Sequence, residues 1–220
     1  MPSSVANATS LLTVQNLGVM GWGEAFALQS ELVAARKTGE ISDRLLFVEH
    51  PHVVTMWRNG DGRYLLASPE LLERSGIAYF ETDRGGDVTY HGPGQIVGYP
   101  ILDLRDWKRD VGAYVRAIEE VLIQTLAQFG ITATREKGAT GVWVDGAKVA
   151  AIGVHISRWV TSHGFALNLD TDLEYFRYIV PCGLSRPVTS MRALGSQATR
   201  AQVVDALIDN FCRIFEKDPE

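Results

Sequence analysis

The chain has 220 residues, 46% apolar, 21% charged and 9% aromatic, the size and mix of one domain with a full core, which excludes disorder, collagen and coiled coil. A formal net charge of -5 argues against a surface built throughout for nucleic acid or anionic lipid, so any basic docking surface has to be local.

Met1–Ser10 is small and polar and predicts a flexible N-terminus, without the basic head and apolar stretch of a leader or an arginine-rich amphipathic pattern. Residues 11–220 are expected to form a single domain. Leu11-Leu-Thr-Val14 opens a strand. From Gly23 to Thr38, Ala25, Leu28, Leu32 and Ala35 recur at helical spacing, and Arg44–Glu49 reads as a buried strand. Ser68 and Pro69 cap and open a short helix that stops at Gly76, and Ile77–Thr82 follows as a strand. The longest helix is expected from about Asp110 to Phe129, its inward stripe formed by Val111, Tyr114, Val115, Ile118, Leu122, Leu126 and Phe129, with Glu119 and Glu120 on a solvated face. Asp145-Gly146 suits a two-residue hairpin turn, in which both central residues take positive φ. Residues 148–157 and 160–169 continue as strands, and a last helix spans Ala201–Glu216 with Val204, Ile208, Phe211 and Phe215 inward. Strands arrive as hairpins more than as strict βαβ units, so the class is α+β: a mixed, largely antiparallel sheet packed with helices.

Arg84-Gly-Gly-Asp-Val-Thr-Tyr-His-Gly-Pro-Gly-Gln95 holds four glycines in twelve residues together with Arg84, Thr89, Tyr90 and His91. Glycine removes Cβ where backbone meets a ligand, and the other side chains supply donors, while the dinucleotide and phosphate-loop glycine patterns are missing. The two cysteines, Cys182 and Cys212, fit neither a zinc-ligand spacing nor a redox pair, and no apolar run is long enough to span a membrane. These features predict free thiols, no metal and a reducing, cytoplasmic location. Pro181-Cys182-Gly183 sets one thiol in a loop, whereas Cys212 lies inside the last helix as an inert small hydrophobe. A nucleophilic thiol needs a partner. Lys148, at the head of the small and apolar run Val149–Gly153, is one candidate, because a partly buried lysine can accept the thiol proton or stabilise the thiolate. A cysteine–histidine pair using His91, His155 or His163 is the other arrangement, and spacing does not choose between them.

These segments, with Gly141-Val-Trp-Val144 and Ser162-His-Gly-Phe-Ala-Leu-Asn168, resemble the lipoyl(octanoyl) transferase family of lipoate biosynthesis, in order from about Glu49 to Leu184. The resemblance implies the fold of the lipoate and biotin protein ligase catalytic domain. It also implies transfer of an octanoyl or lipoyl group from acyl carrier protein to the ε-amino group of a lysine, without a cofactor. The acceptors would be lipoyl domains of 2-oxoacid dehydrogenase complexes and the glycine cleavage H protein, with no nucleic acid or membrane partner. It assigns Cys182 as the acyl-thioester nucleophile and Lys148 as its activator. The substrate-binding stretches become Arg84, Gly85, Gly86, Asp87, Val88, Thr89, Tyr90 and His91; Ala151, Ile152 and Gly153; and Gly164, Phe165 and Ala166. The departures from the family pattern, at Asp87 and Ala150-Ala151, remove no catalytic group. An ATP-dependent lipoate or biotin protein ligase and a non-catalytic acyl-carrier-binding module are the competing readings. For docking an acidic carrier, Arg58, Arg84, Arg135, Lys137 and Arg158 are candidate basic positions.

Overall fold

A computed structural model describes residues 11–58, 63–180 and 186–220; the expectations for Met1–Ser10 and Cys182 lie outside the described residues. The first half runs β1 (Leu11–Val19), α1 (Trp22–Thr38), β2 (Asp43–Glu49), β3 (Val53–Trp57), α2 (Pro69–Arg74), β4 (Ala78–Thr82), β5 (Val88–His91) and β6 (Gln95–Ile101). The second runs α3 (Val111–Gln128), β7 (Thr134–Glu136), β8 (Ala139–Val144), β9 (Ala147–Ser157), β10 (Val160–Asn168), a 3₁₀ turn at Leu173–Tyr178, α4 (Arg200–Phe215) and β11 (Asp218–Pro219). Eight strands form a mixed sheet in the order β11-β1-β2-β6-β10-β9-β8-β7, and β4-β3-β5 form a second sheet. β1 pairs in parallel with β2 and β11, and the pairs from β2 to β7 are antiparallel, giving the α+β architecture expected.

The large sheet is covered on both faces, which explains why β2 is an unbroken apolar run. Leu45 and Phe47 face α3 and α4, sharing a core with Ile118, Leu122, Leu207 and Phe211, while Leu46 and Val48 face α1 with Ala25, Val97 and Tyr99. A third core, of Val54, Val88, Tyr90 and Ile179, lies on the small sheet. Asp110 caps α3 by accepting from Ala113 N at 2.9 Å, and the Asp145-Gly146 turn has φ of 47° and 79°. Among the described residues no helix is long and apolar enough to cross a membrane.

Three expectations need correction, the first being Val111, which starts α3 at the surface, 46% exposed, rather than in its inward stripe. Glu119 is buried rather than solvated, because its carboxylate accepts from Gly141 N at 3.2 Å and from Arg135 Nε at 3.0 Å. The buried positions of α1 are Trp22, Ala25, Gln29 and Arg36, with Leu28 and Leu32 only half-buried. Polar Gln29 and Arg36 go inward because partners wait there: Gln29 Oε1 accepts from His163 N at 2.8 Å, and Arg36 bonds Asp43 at 2.7 Å and Asp106 at 2.6 Å.

Candidate active site

β9 and β10 form the floor of a cleft. Their register sets Ala151 opposite Ala166 and Gly153 opposite Gly164, so small residues line the centre of the sheet. Over them lie β5 and the turn before it, anchored where Gly85 N donates to Val154 O at 2.9 Å. A Cβ on Gly153 would stand 2.7 Å from Gly85 O and 3.2 Å from Arg84 Cδ, so only glycine lets the turn close onto the sheet.

The cleft is narrow, with about 30 Å³ open to a water-sized sphere. Of the residues assigned to binding, Arg84, Gly85, Thr89, His91, Ala151, Ile152, Gly153, Gly164, Phe165 and Ala166 line it. Val88 and Tyr90 point the other way, into the core of the small sheet, as strand alternation requires, and Tyr90 Oη sits 2.7 Å from His52 Nδ1. Gly86 and Asp87 belong to the preceding turn, away from the cleft lining, and the Asp87 carbonyl accepts from Trp57 N at 2.9 Å.

Trp22, Val97, Tyr99 and His163 close the cleft at one end. The Trp22 ring lies 5.0 Å from Phe26, 5.1 Å from Phe80 and 6.4 Å from His163. Trp22, Val97 and Tyr99 carried no signal in the sequence. All of β6 is buried, so its alternation is invisible, and Trp22 reads only as a helix start.

Buried polar groups surround this end. Arg84 donates to Thr55 O at 2.7 Å, Thr55 Oγ1 at 2.9 Å and Gly85 O at 3.1 Å, which fixes its guanidinium inside; with 6% exposure it is no docking residue. Arg135 is likewise committed, to Glu119 and to Glu120 at 2.6 Å. His163 Nε2 donates to Asp83 Oδ1 at 2.9 Å, and this bond holds the Asp83 carboxyl down at about 2. Burial pushes His163 and His50 below the ordinary histidine value, and burial followed by repulsion from His50 pushes His91 down to about 3. His155 lies outside the cleft, its Nδ1 3.2 Å from the Asp83 carbonyl.

A second, smaller space continues from the other end. It shares Thr89, Ala151 and Ala166 with the first and adds Gln95, Lys148, Asn168, Phe176 and Val188. Lys148 is 5% exposed; its Nζ stands 4.7 Å from the centre of the Trp143 ring and has no hydrogen-bond partner among the described residues. Its backbone is paired as well: Lys148 N donates to Pro187 O, and Lys148 O accepts from Thr189 N, both at 2.9 Å. The segment that follows Cys182 in the chain therefore runs along Lys148. Cys212 lies far from this chemistry in α4, where burial raises its thiol. Among the described residues no cluster of histidine, cysteine, aspartate or glutamate is placed to hold a metal.

The sequence matches the lipoyl protein ligase A/B catalytic domain over residues 22–212. An octanoyltransferase of Solibacter usitatus is 61% identical, the match covering 92% of this chain and 92% of the relative. That of Koribacter versatilis is 52% identical over 94% of this chain and 85% of its own. Among solved structures, lipoate-protein ligase A bound with ATP shares the fold, with a TM-score of 0.73 at 16% identity over 96% of this chain and 89% of that one.

Proposed function

We propose that this chain, which belongs to the octanoyltransferase family within the lipoyl protein ligase A/B catalytic domains and is an acyltransferase, works through a thioester on Cys182. In the first half-reaction Cys182 gives its proton to Lys148, and its sulfur attacks the thioester carbonyl of an octanoyl group on acyl carrier protein. The new C–S bond forms, the carrier's C–S bond breaks, and Lys148 returns the proton to the departing thiolate. In the second, a neutral lysine amine of a lipoyl domain attacks the acyl-Cys182 carbonyl. The amide forms, the C–S bond breaks, and the proton lost by the amine restores the thiol. Exchange of one thioester for another is close to balanced, and amide formation drives the whole without ATP.

The observation that carries this reading is Lys148: a buried amine with no acceptor among the described residues, lining the space that adjoins the cleft, with the segment following Cys182 paired to its backbone. The small and apolar floor of Ala151, Gly153, Gly164 and Ala166 suits an unbranched acyl chain, and Arg84 and His91 stand beside it as binding residues. Lipoyl domains of 2-oxoacid dehydrogenase complexes and the glycine cleavage H protein are the acceptors, and the cytoplasm is the compartment in which the thiol stays reduced.

Intact mass after incubation with octanoyl-acyl carrier protein tests the thioester. One octanoyl adduct is expected on the wild type and on Cys212→Ser, and none on Cys182→Ser. Acylation that instead requires free octanoate and ATP would overturn the reading in favour of an adenylate-forming ligase.

A further inference from the structure

A chain of buried side chains joins the cleft to the segment beside Lys148, and each hydrogen bond in it dictates the direction of the next. The Thr189 carbonyl only accepts, so Asn168 turns Nδ2 toward it at 2.9 Å and keeps Oδ1 for Gln95 Nε2, also at 2.9 Å. Gln95 then has only Oε1 to offer His91 Nδ1, 2.7 Å away, so Nδ1 carries the ring hydrogen and Nε2 is a bare acceptor. Asn168, Gln95 and His91 are 4%, 2% and 7% exposed, which shields these bonds from exchange with water. At the far end, Thr189 N bonds the Lys148 carbonyl and Met191 N bonds the Asn168 carbonyl, each at 2.9 Å.

We propose that Asn168 and Gln95 are positioning residues, which clamp the segment following Cys182 against Lys148 and fix His91 in its Nδ1–H form. Neither touches the reacting atoms in this scheme. They act by holding Pro187–Thr189, downstream of Cys182 in the chain, in register with the lysine that exchanges a proton with the thiol in that reading. The inference rests on the thioester reading for its kinetic consequence, and on hydrogen-bond direction alone for the state of His91.

The experiment combines acylation kinetics with histidine nitrogen NMR on the full chain. Asn168→Ala removes the donor to Thr189 and frees Gln95 to turn. Gln95→Met, close in size, breaks the same chain one step earlier and serves if the first variant does not fold. In both, acyl uptake from a small octanoyl thioester at saturation is expected to slow about tenfold, the effect of losing one net hydrogen bond, with KM unchanged. In the wild type, the His91 nitrogen shifts are expected to show a hydrogen on Nδ1 and none on Nε2, and in Asn168→Ala a mixture of the two neutral forms. Acylation at the wild-type rate in both variants, or a wild-type His91 with its hydrogen on Nε2, overturns the proposal. If the wild type itself takes up no acyl group, it is the thioester reading that fails, and the wild-type His91 shifts decide the clamp.

Discussion

Lys148 holds its Nζ inside the protein beside Trp143 with no acceptor among the described residues, an arrangement that costs stability. Such a cost is tolerated where the group serves chemistry. Lys148→Met keeps the stem and discards the amine, so thermal melting is expected to show stability held or raised. Formation of the acyl-enzyme, followed by intact mass, is expected to fall about hundredfold, the lower range for loss of a proton-transfer group. A variant that melts lower and still acylates at the wild-type rate would make Lys148 a structural residue. His91 and Arg84 stand differently: each is tied to neighbours through its polar atoms, which holds it in one orientation at the edge of the cleft.

The pairing of β6 with β10 depends on an absent side chain. A Cβ on Gly164 would stand 2.2 Å from the Gly98 carbonyl oxygen and 2.6 Å from Pro100 Cδ, contacts that backbone cannot yield without parting the strands. Gly164→Ala is therefore expected to lose about 1–3 kcal/mol, seen as a fall of several degrees in Tm. Elements such as the Asp145-Gly146 hairpin were legible because their requirement is local, two successive residues at positive φ. Glu119 was not, since its burial depends on Arg135 and Gly141, sixteen and twenty-two positions away, brought over α3 by β7 and β8. β3 and β5 escaped for a related reason: each is short, and their pairing with each other is what makes them strands. The cleft was half legible. Glycine-rich composition marked the Arg84 to His91 stretch and the resemblance marked β9 and β10, but Trp22, Val97 and Tyr99 reach the site only through packing of α1 and β6 on the sheet.

Across the whole molecule, burial keeps His50, His91 and His163 neutral in the folded state. Their folded values lie below the ordinary 6.5, so on acidification the unfolded chain takes up protons that the folded one refuses. The stability they confer is complete above about pH 6.5 and drains as pH falls toward their folded values, which for His91 is about 3. Between those limits His91 alone accounts for about 1.4 kcal/mol per pH unit. Tm measured from pH 8 to pH 5 is expected to drop with acid, and to drop less steeply in His91→Gln; equal slopes would show that His91 contributes nothing to acid sensitivity. Asp83, held at about 2 by His163, adds a loss of the same sign only below its ordinary 3.8. The buried end of the cleft, where Trp22, Tyr99 and His163 are 5%, 3% and 2% exposed, has a consequence for traffic. On the thioester proposal an acyl chain enters methyl first from the side of Lys148, away from those rings, and the carrier that delivers it covers the same doorway the acceptor lysine must use. Under that proposal donor and acceptor proteins take turns at one entrance, the first departing before the second arrives, and an excess of either is expected to obstruct the other.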